Sequence, residues 1–394
     1  MRTVGIVAEY NPFHRGHLYH LERSRTLTEA EAVVCVLSGD FVQRGEPAVF
    51  SKFARAEAAV RAGADLVLEL PLPWGIASAE GFARGAVGLL EATGVVDCLS
   101  FGSECGDVAA LRELASVLER RETEEELLNV LRSGVSYAAA RERAVAAAVG
   151  VERAALLRQP NNNLGVEYCR ALRRLGSGME CVTVERADGG HGGENSASAL
   201  RARLRAGESI GGLTPESCLP VWEREIREGR MVTMAALETA LLSRLRMLPR
   251  AAFERLSDAG EGLYNLLYAQ SRVGESWESV LAGCKSKRYP LARLRRALLS
   301  AALGVEKGMA EEEVPYIRPL CANERGCALL REMKKRAALP ILSRGGDVRR
   351  TGGRAEAIFE LGSRAHDLFV LGFSEVAHRR GDEDFHKTIS IIYL

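Results

Sequence analysis

Apolar and polar positions along the chain fall into two regimes that divide near residue 195. Before it, short apolar runs recur at residues 4–8, 32–37, 66–70, 95–101 and 181–184. Runs of this length, apolar at nearly every position, predict strands buried on both faces, as in a parallel sheet. Between them, residues 52–62 and 79–92 repeat apolar side chains at steps of three and four, the spacing of helices packed on such a sheet. Beyond residue 195 the strand signals fade, and residues 233–248, 261–270 and 291–302 carry helical spacing. The expected fold class is therefore α/β, with a parallel-sheet domain over residues 1–194 and a mostly helical domain over residues 195–394. From about residue 338 the chain is rich in Gly and Arg, followed by a helical stretch at 355–371 and a polar tail. No internal repeat is present.

Open α/β sheets bind ligands beyond the carboxyl ends of their strands. The loops holding His14, Asp40, Gly102 and Arg186 each follow a predicted strand, so four distant parts of the sequence would line one cleft. The first loop reads Glu9-Tyr10-Asn11-Pro12-Phe13-His14-Arg15-Gly16-His17, an HxGH motif directly after the first apolar run. Two imidazoles at a helix start suit phosphate: free backbone N–H groups there attract anions, Gly16 lets phosphates approach the backbone, and each His donates one hydrogen bond. The same two residues also fit a plain surface pair or two metal ligands. A zinc site needs further Cys or His nearby, and Cys35 lies inside a strand-like run, so phosphate is the preferred reading and no metal site is expected.

Composition narrows the rest. The 53 Lys plus Arg balance 52 Asp plus Glu, so no global basic field announces nucleic acid. Basic clusters at 224–230, 285–296 and 334–336 are the usual pattern of solvated helix faces, although Lys285-Ser286-Lys287-Arg288-Tyr289 also joins charge to an aromatic as nucleic-acid surfaces do. The nine cysteines, at 35, 98, 105, 169, 181, 218, 284, 321 and 327, form no CxxC pair and read as reduced thiols of a cytoplasmic protein. No apolar stretch reaches membrane-spanning length. There is neither a GxxxxGK[ST] loop nor a GxSxG elbow, which excludes P-loop chemistry and disfavours a serine hydrolase. His366, His378 and His386 show no partner pattern and read as surface or core residues.

Longer blocks are more specific. Gly5 to His17 as a block, Leu37-Ser38-Gly39-Asp40-Phe41-Val42-Gln43-Arg44-Gly45-Glu46-Pro47, Lys52-Phe53-Ala54-Arg55, Asp65 to Pro71, Ser100-Phe101-Gly102-Ser103-Glu104, Pro160-Asn161-Asn162-Asn163-Leu164-Gly165, Ser196-Ala197-Ser198-Ala199-Leu200-Arg201 and Pro315-Tyr316-Ile317-Arg318 resemble the bacterial tRNA(Met) cytidine acetate ligase family nearly end to end. The resemblance implies a nucleotidyltransferase-like, Rossmann-like first domain and a helical second domain that docks RNA. It implies an enzyme that activates acetate with ATP, Mg2+ accompanying the nucleotide, and acylates the wobble cytidine of elongator tRNA(Met).

It also implies site residues. Catalytic roles would fall to His14, His17, Asp40, Lys52 and Arg55. The ATP contacts would be Val7, Ala8, Glu9, Tyr10, Asn11, Pro12, Phe13, His14, Gly16, His17, His20, Gly102, Asn162, Arg186, Ala187, Ser196 and Ser198. Lys52 and Arg55 share one helix face and are candidate counter-charges for the triphosphate, as is Arg186; each also reads as surface charge. Asp40 could hold Mg2+, orient the amine, or close an Asx-turn. Asn162 could read the adenine edge or ribose, yet Asn161-Asn162-Asn163 also has the composition of a helix cap, and Ser196 or Ser198 likewise. Two departures from the family pattern stand out: Ser198 replaces the usual Thr and keeps the hydroxyl, and no aromatic precedes His191. The competing readings are a small-molecule adenylyltransferase sharing the HxGH cleft and a non-enzymatic RNA-binding protein.

Overall fold

The protein's structure, a computed structural model, describes residues 1–186, 196–260, 262–286 and 288–393. Its strands are β1 (Thr3–Ala8), β2 (Ala32–Ser38), the two-residue hairpin strands β3 (Phe41–Val42) and β4 (Glu46–Pro47), β5 (Leu66–Leu70), β6 (Cys98–Ser103), β7 (Glu180–Glu185), β8 (Pro319–Ala322) and β9 (Ser390–Ile391). The main sheet has seven strands in the order β7-β6-β1-β2-β5-β8-β9. The five strands expected from the apolar runs are all present and mutually parallel. Every residue of β2 and β5 is buried, which is why these runs lack the alternation of a half-exposed strand.

Two further strands come from the far half of the chain, where no strand was expected. β8 pairs antiparallel with β5, and β9 adds parallel to β8. At four and two residues they are too short to stand out as apolar runs, and β8 opens on a proline. The remainder of that half is mostly helical, as expected.

Alternating side chains of the strands feed opposite faces. Val34, Val36, Leu66, Leu68 and Leu99 pack under the helices Ala79–Ala92 and Pro160–Leu175. Val4, Ile6, Val33, Cys35 and Val67 face the other way, towards helices α1 (Arg15–Thr28) and α2 (Lys52–Arg61). Each fully buried aliphatic side chain contributes ~1.5–3 kcal/mol, so both layers are strongly held. A separate core of Leu237, Leu241, Trp277, Leu294, Leu298 and Phe369 organises the later helices. The helix Gly353–Val370 connects the two halves, with Phe359 in the sheet core and Phe369 in the helical one.

From β1 the chain builds outwards through β2 and β5, then returns to add β6 and β7 on the opposite side. This reversal opens a crevice at the carboxyl ends of β1, β2 and β6, where ligands of open α/β sheets sit. Among the described residues no helix is long and apolar enough to cross a membrane.

Candidate functional site

The segment after β1 folds back through Tyr10, whose φ of 43° lies in the left-handed region that a tyrosine seldom occupies. Burial explains its persistence: Tyr10 and Phe13 are fully enclosed with their rings 4.6 Å apart, and the Tyr10 hydroxyl lies 3.5 Å from Cys35 Sγ. This aromatic wedge delivers His14 to the N-cap of α1.

His14 and His17 then form a capping box made of imidazoles. His14 Nδ1 accepts the Gly16 N–H at 3.0 Å, and His17 Nδ1 accepts the His14 N–H at 3.2 Å. A ring nitrogen that accepts carries no proton, so in each neutral ring the proton sits on Nε2. The rings stack with centroids 3.7 Å apart. Burial, with Arg186 and Arg201 nearby, pushes His14 down to about 4. Burial and the neighbouring His14, Arg186, His20 and Arg44 push His17 well below the ordinary histidine value. At neutral pH the pair therefore offers two uncharged N–H donors at a helix N-terminus. Gly16 serves differently from its expected role: its N–H is spent on His14, and a Cβ there would lie 2.9 Å from the His14 ring. Glycine is needed because the imidazole folds back over it.

His20 lies one turn further along α1, its Nε2 3.5 Å from Ser100 Oγ of β6. Burial and Arg186 lower it to about 4. Arg186 follows β7, its N–H bonded to Ser103 O at 3.0 Å, and its Cγ would meet a Cβ on Gly102 at 3.4 Å. Ser196 caps the helix Ala197–Arg205 through Ala199 N, and Ser198 Oγ accepts from Arg201 Nη2 at 3.2 Å. Arg201 in turn donates to Asn11 O at 3.0 Å, tying this helix to the loop after β1. Val7, Ala8, Glu9, Tyr10, Asn11, Pro12 and Phe13 run into the same corner. Thus His14, His17, His20, Gly102, Arg186, Ser198 and Arg201 converge at the crevice. Ala187 and His191 lie outside the described residues.

Asn162 is used otherwise than by a ligand. It is fully buried; Oδ1 accepts from Glu104 N at 2.9 Å and Cys105 N at 3.1 Å, while Nδ2 donates to Gln159 Oε1 at 2.6 Å. Glu104 reciprocates by accepting the N–H groups of Asn161 and Asn162. The side chain clamps the loop after β6.

Asp40, Lys52 and Arg55 form a second, buried constellation. Arg55 is wholly enclosed and donates to the carbonyl oxygens of Phe50, Glu9, Ser38 and Gly39, binding together the ends of β1 and β2. Burial lowers it to about 10. Its guanidinium is occupied by the backbone, so the charges beside the histidine pair are Arg44, Arg186 and Arg201 instead. The helix face shared by Lys52 and Arg55 points inwards rather than to an open triphosphate site. Lys52 Nζ bonds Glu69 at 2.7 Å and Asp384 at 2.6 Å, with Asp40 at 4.0 Å. Burial opposes its charge, yet Asp384 and Glu69 raise it above the ordinary lysine value.

Arg318 grips the same two carboxylates at 2.8 and 3.0 Å. Asp40 accepts the Lys52 N–H through Oδ1 and the His366 Nδ1–H through Oδ2 at 2.8 Å, while His366 Nε2–H donates to Glu383 at 3.2 Å. Burial works against the imidazolium, but Asp40 and Asp384 hold it up to about 10. His366 and Asp384 carried no sequence signal of their pairing: the His366–Asp40 bond spans 326 residues. Arg44, Glu69, Arg201 and Arg318 were visible within distinctive blocks but not singled out.

The site thus joins a corner of neutral imidazole donors and arginines to an ion-pair network that braces the loops behind it. A groove of about 740 Å³ elsewhere, at the far end of the helix Pro160–Leu175, is lined by Arg141, Arg170, Arg173 and Arg174. These four arginines share Glu80, Glu119 and Glu167, so most of their charge is compensated.

The family model for HIGH nucleotidyl transferases matches residues 1–384. The tRNA(Met) cytidine acetate ligase of Caldanaerobacter subterraneus subsp. tengcongensis is 36% identical over 99% of this chain and 100% of its own length. The chain belongs to the tRNA(Met) cytidine acetate ligase family. The family's enzyme from Syntrophotalea carbinolica is 38% identical over 96% of this chain and 97% of its own. The crystal structure of Thermotoga maritima TmcAL bound with alpha-thio ATP superposes with a TM-score of 0.93 at 34% identity, over 100% of both chains. That structure therefore shares the fold over the full length of the chain.

Proposed function

We propose that the protein activates acetate with ATP and transfers the acetyl group to N4 of the wobble cytidine of elongator tRNA(Met). An acetate oxygen attacks the α-phosphorus in line, the bond to the α–β bridging oxygen breaks, and pyrophosphate leaves with the electron pair. The resulting mixed anhydride is reactive enough for a weakly nucleophilic aromatic amine to open.

The observation that carries this reading is the pair of Nε2–H donors at the N-terminus of α1, with Arg44, Arg186 and Arg201 around it. Donors and cations fixed where charge develops on the phosphates stabilise the transition state without reorganising. Because both histidines titrate well below neutrality, their donor character is constant across the physiological range. Among the described residues no three His, Cys, Asp or Glu side chains converge to hold a metal ion, so Mg2+ is expected to arrive with the nucleotide phosphates.

The helical segment beyond residue 194 would dock the tRNA. Arg224 and Arg230 are paired with Glu57 and Glu225 and Arg296 with Asp258, so pairing does not separate the clusters, and the choice of 285–296 rests on its combination of cations with an aromatic ring. There Arg293 lies 5.4 Å from the Tyr289 ring, a combination suited to phosphate and base together.

Acetate-dependent exchange of labelled pyrophosphate into ATP, without tRNA, tests the first step. Exchange that requires acetate supports the reading. Exchange that needs a phosphate-bearing small molecule instead would move the protein to cofactor adenylylation.

A further inference from the structure

Acyl transfer to an amine releases a proton, and the histidine pair is poorly suited to take it. Each Nδ1 is occupied by a backbone N–H and each Nε2 already carries hydrogen. Asp40 is buried, one oxygen engaged by the Lys52 N–H and the other by the protonated His366. Two carboxylates in the corner remain, Glu46 and Glu9; Glu46 points a buried Oε1 at Arg201 Nη2, 3.4 Å away. Glu9 stands at the carboxyl end of β1, five residues before His14, with its side chain about a quarter exposed (23%). Its Oε1 accepts the Gln43 N–H at 2.9 Å, and its Oε2 lies 3.8 Å from Arg44 Nε.

The surroundings link Glu9 to both substrates. Arg44 and Arg201 act electrostatically on Glu9 and on the histidine pair alike, so the carboxylate faces the same arginines as the phosphates would. Gln43 and Arg44 belong to the turn between β3 and β4. At the next residue, Gly45 (φ 77°), a Cβ would lie 2.7 Å from the Arg295 backbone. The basic helix Leu291–Leu303 therefore abuts the turn that grips Glu9. A nucleotide delivered from that helix would reach the anhydride past Arg44 and Glu9.

We propose that Glu9 is the general base of the second step, accepting the proton of the cytidine N4 amine as it attacks the acetyl carbonyl. The N4–carbon bond forms, the bond from the carbonyl carbon to the AMP phosphate oxygen breaks, AMP leaves with that electron pair, and the proton passes from N4 to a Glu9 oxygen. Burial raises Glu9 above the ordinary carboxylate value, Arg44 works against this, and Glu46 adds to it; a stronger carboxylate base results. The role rests on the ligase reading above.

Glu9→Gln separates basicity from anchoring, because the amide oxygen still accepts the Gln43 N–H. Two rates are measured: acetate-dependent pyrophosphate exchange without tRNA, and single-turnover acetyl transfer to an elongator tRNA(Met) transcript between pH 4.5 and 7.5. Expected is a fall in transfer about 10²-fold greater than whatever fall the variant causes in exchange. The wild-type transfer rate should fall towards acid with a single ionisation that the variant lacks. Transfer by Glu9→Gln within a few-fold of wild type, or equal losses in both steps, overturns the proposal. Should Glu9→Gln not fold, Glu9→Asp keeps a carboxylate, and a pH-independent transfer step in the wild type overturns the proposal equally. Wild-type protein without acetate-dependent exchange overturns the ligase reading itself, and the base assignment with it.

Discussion

Replacing Lys52 by Met is the sharpest perturbation of the brace behind the cleft. The side chain is 1% exposed, and Met fills nearly the same volume, so packing is conserved while the ammonium is lost. What remains is Asp384 and Glu69, both at most 7% exposed, sharing the single guanidinium of Arg318, and Asp40 holding His366 and the backbone N–H of residue 52. Removing one member of a buried ionic group leaves an uncompensated charge in a poorly solvated place, at a cost of ~3–5 kcal/mol. Urea unfolding of wild type and Lys52→Met should show a lower midpoint at unchanged slope. Adding Asp384→Asn to Lys52→Met should cost less than the sum of the two single changes, because it removes the orphaned charge. A loss below ~1 kcal/mol for Lys52→Met, or strict additivity in the double variant, would refute the idea that the network depends on mutual compensation.

Other consequences follow from the same contacts. His14 and His20 titrate near 4 in the folded protein, against about 6.5 unfolded. The unfolded chain therefore binds more protons between these values, and stability should fall by up to ~3 kcal/mol per ring as pH drops from 6.5 to 4. His366 works in the opposite sense: its contribution, complete below 6.5, is lost as pH rises through about 10. Unfolding free energies measured from pH 4 to 10 should pass through a maximum near 6.5. Gly16→Ala places a Cβ 2.9 Å from the His14 ring, so ATP affinity measured by calorimetry should weaken about tenfold or more while stability changes by ~1 kcal/mol. Asn162→Ala strips the acceptor from two half-buried N–H groups and should cost ~1–3 kcal/mol in urea unfolding.

How much of this was legible in the sequence depends on how local each feature is. β2 and β5 announced themselves because burial on both faces makes every residue apolar. β8 and β9 did not: β8 joins the sheet only because residues more than 240 positions earlier present an edge to it, and β9 only because β8 is then in place. The histidine pair was readable because its capping geometry is contained within four residues. Lys52 and Arg55 were readable as a shared helix face but not as an inward one, since whether a cation meets solvent or a carboxylate is decided by Glu69, Arg318 and Asp384. Asn162 shows the same limit, because a cap composition does not reveal which loop the amide will hold.

Incubation with ATP, Mg2+, labelled acetate and total tRNA, followed by nucleoside analysis, tests the central claim most directly, with His17→Ala alongside. The account predicts label in N4-acetylcytidine for the wild type and none for the variant, whose phosphate corner lacks one of its two donors. Unlabelled cytidine from the wild type, or equal labelling by His17→Ala, would contradict it.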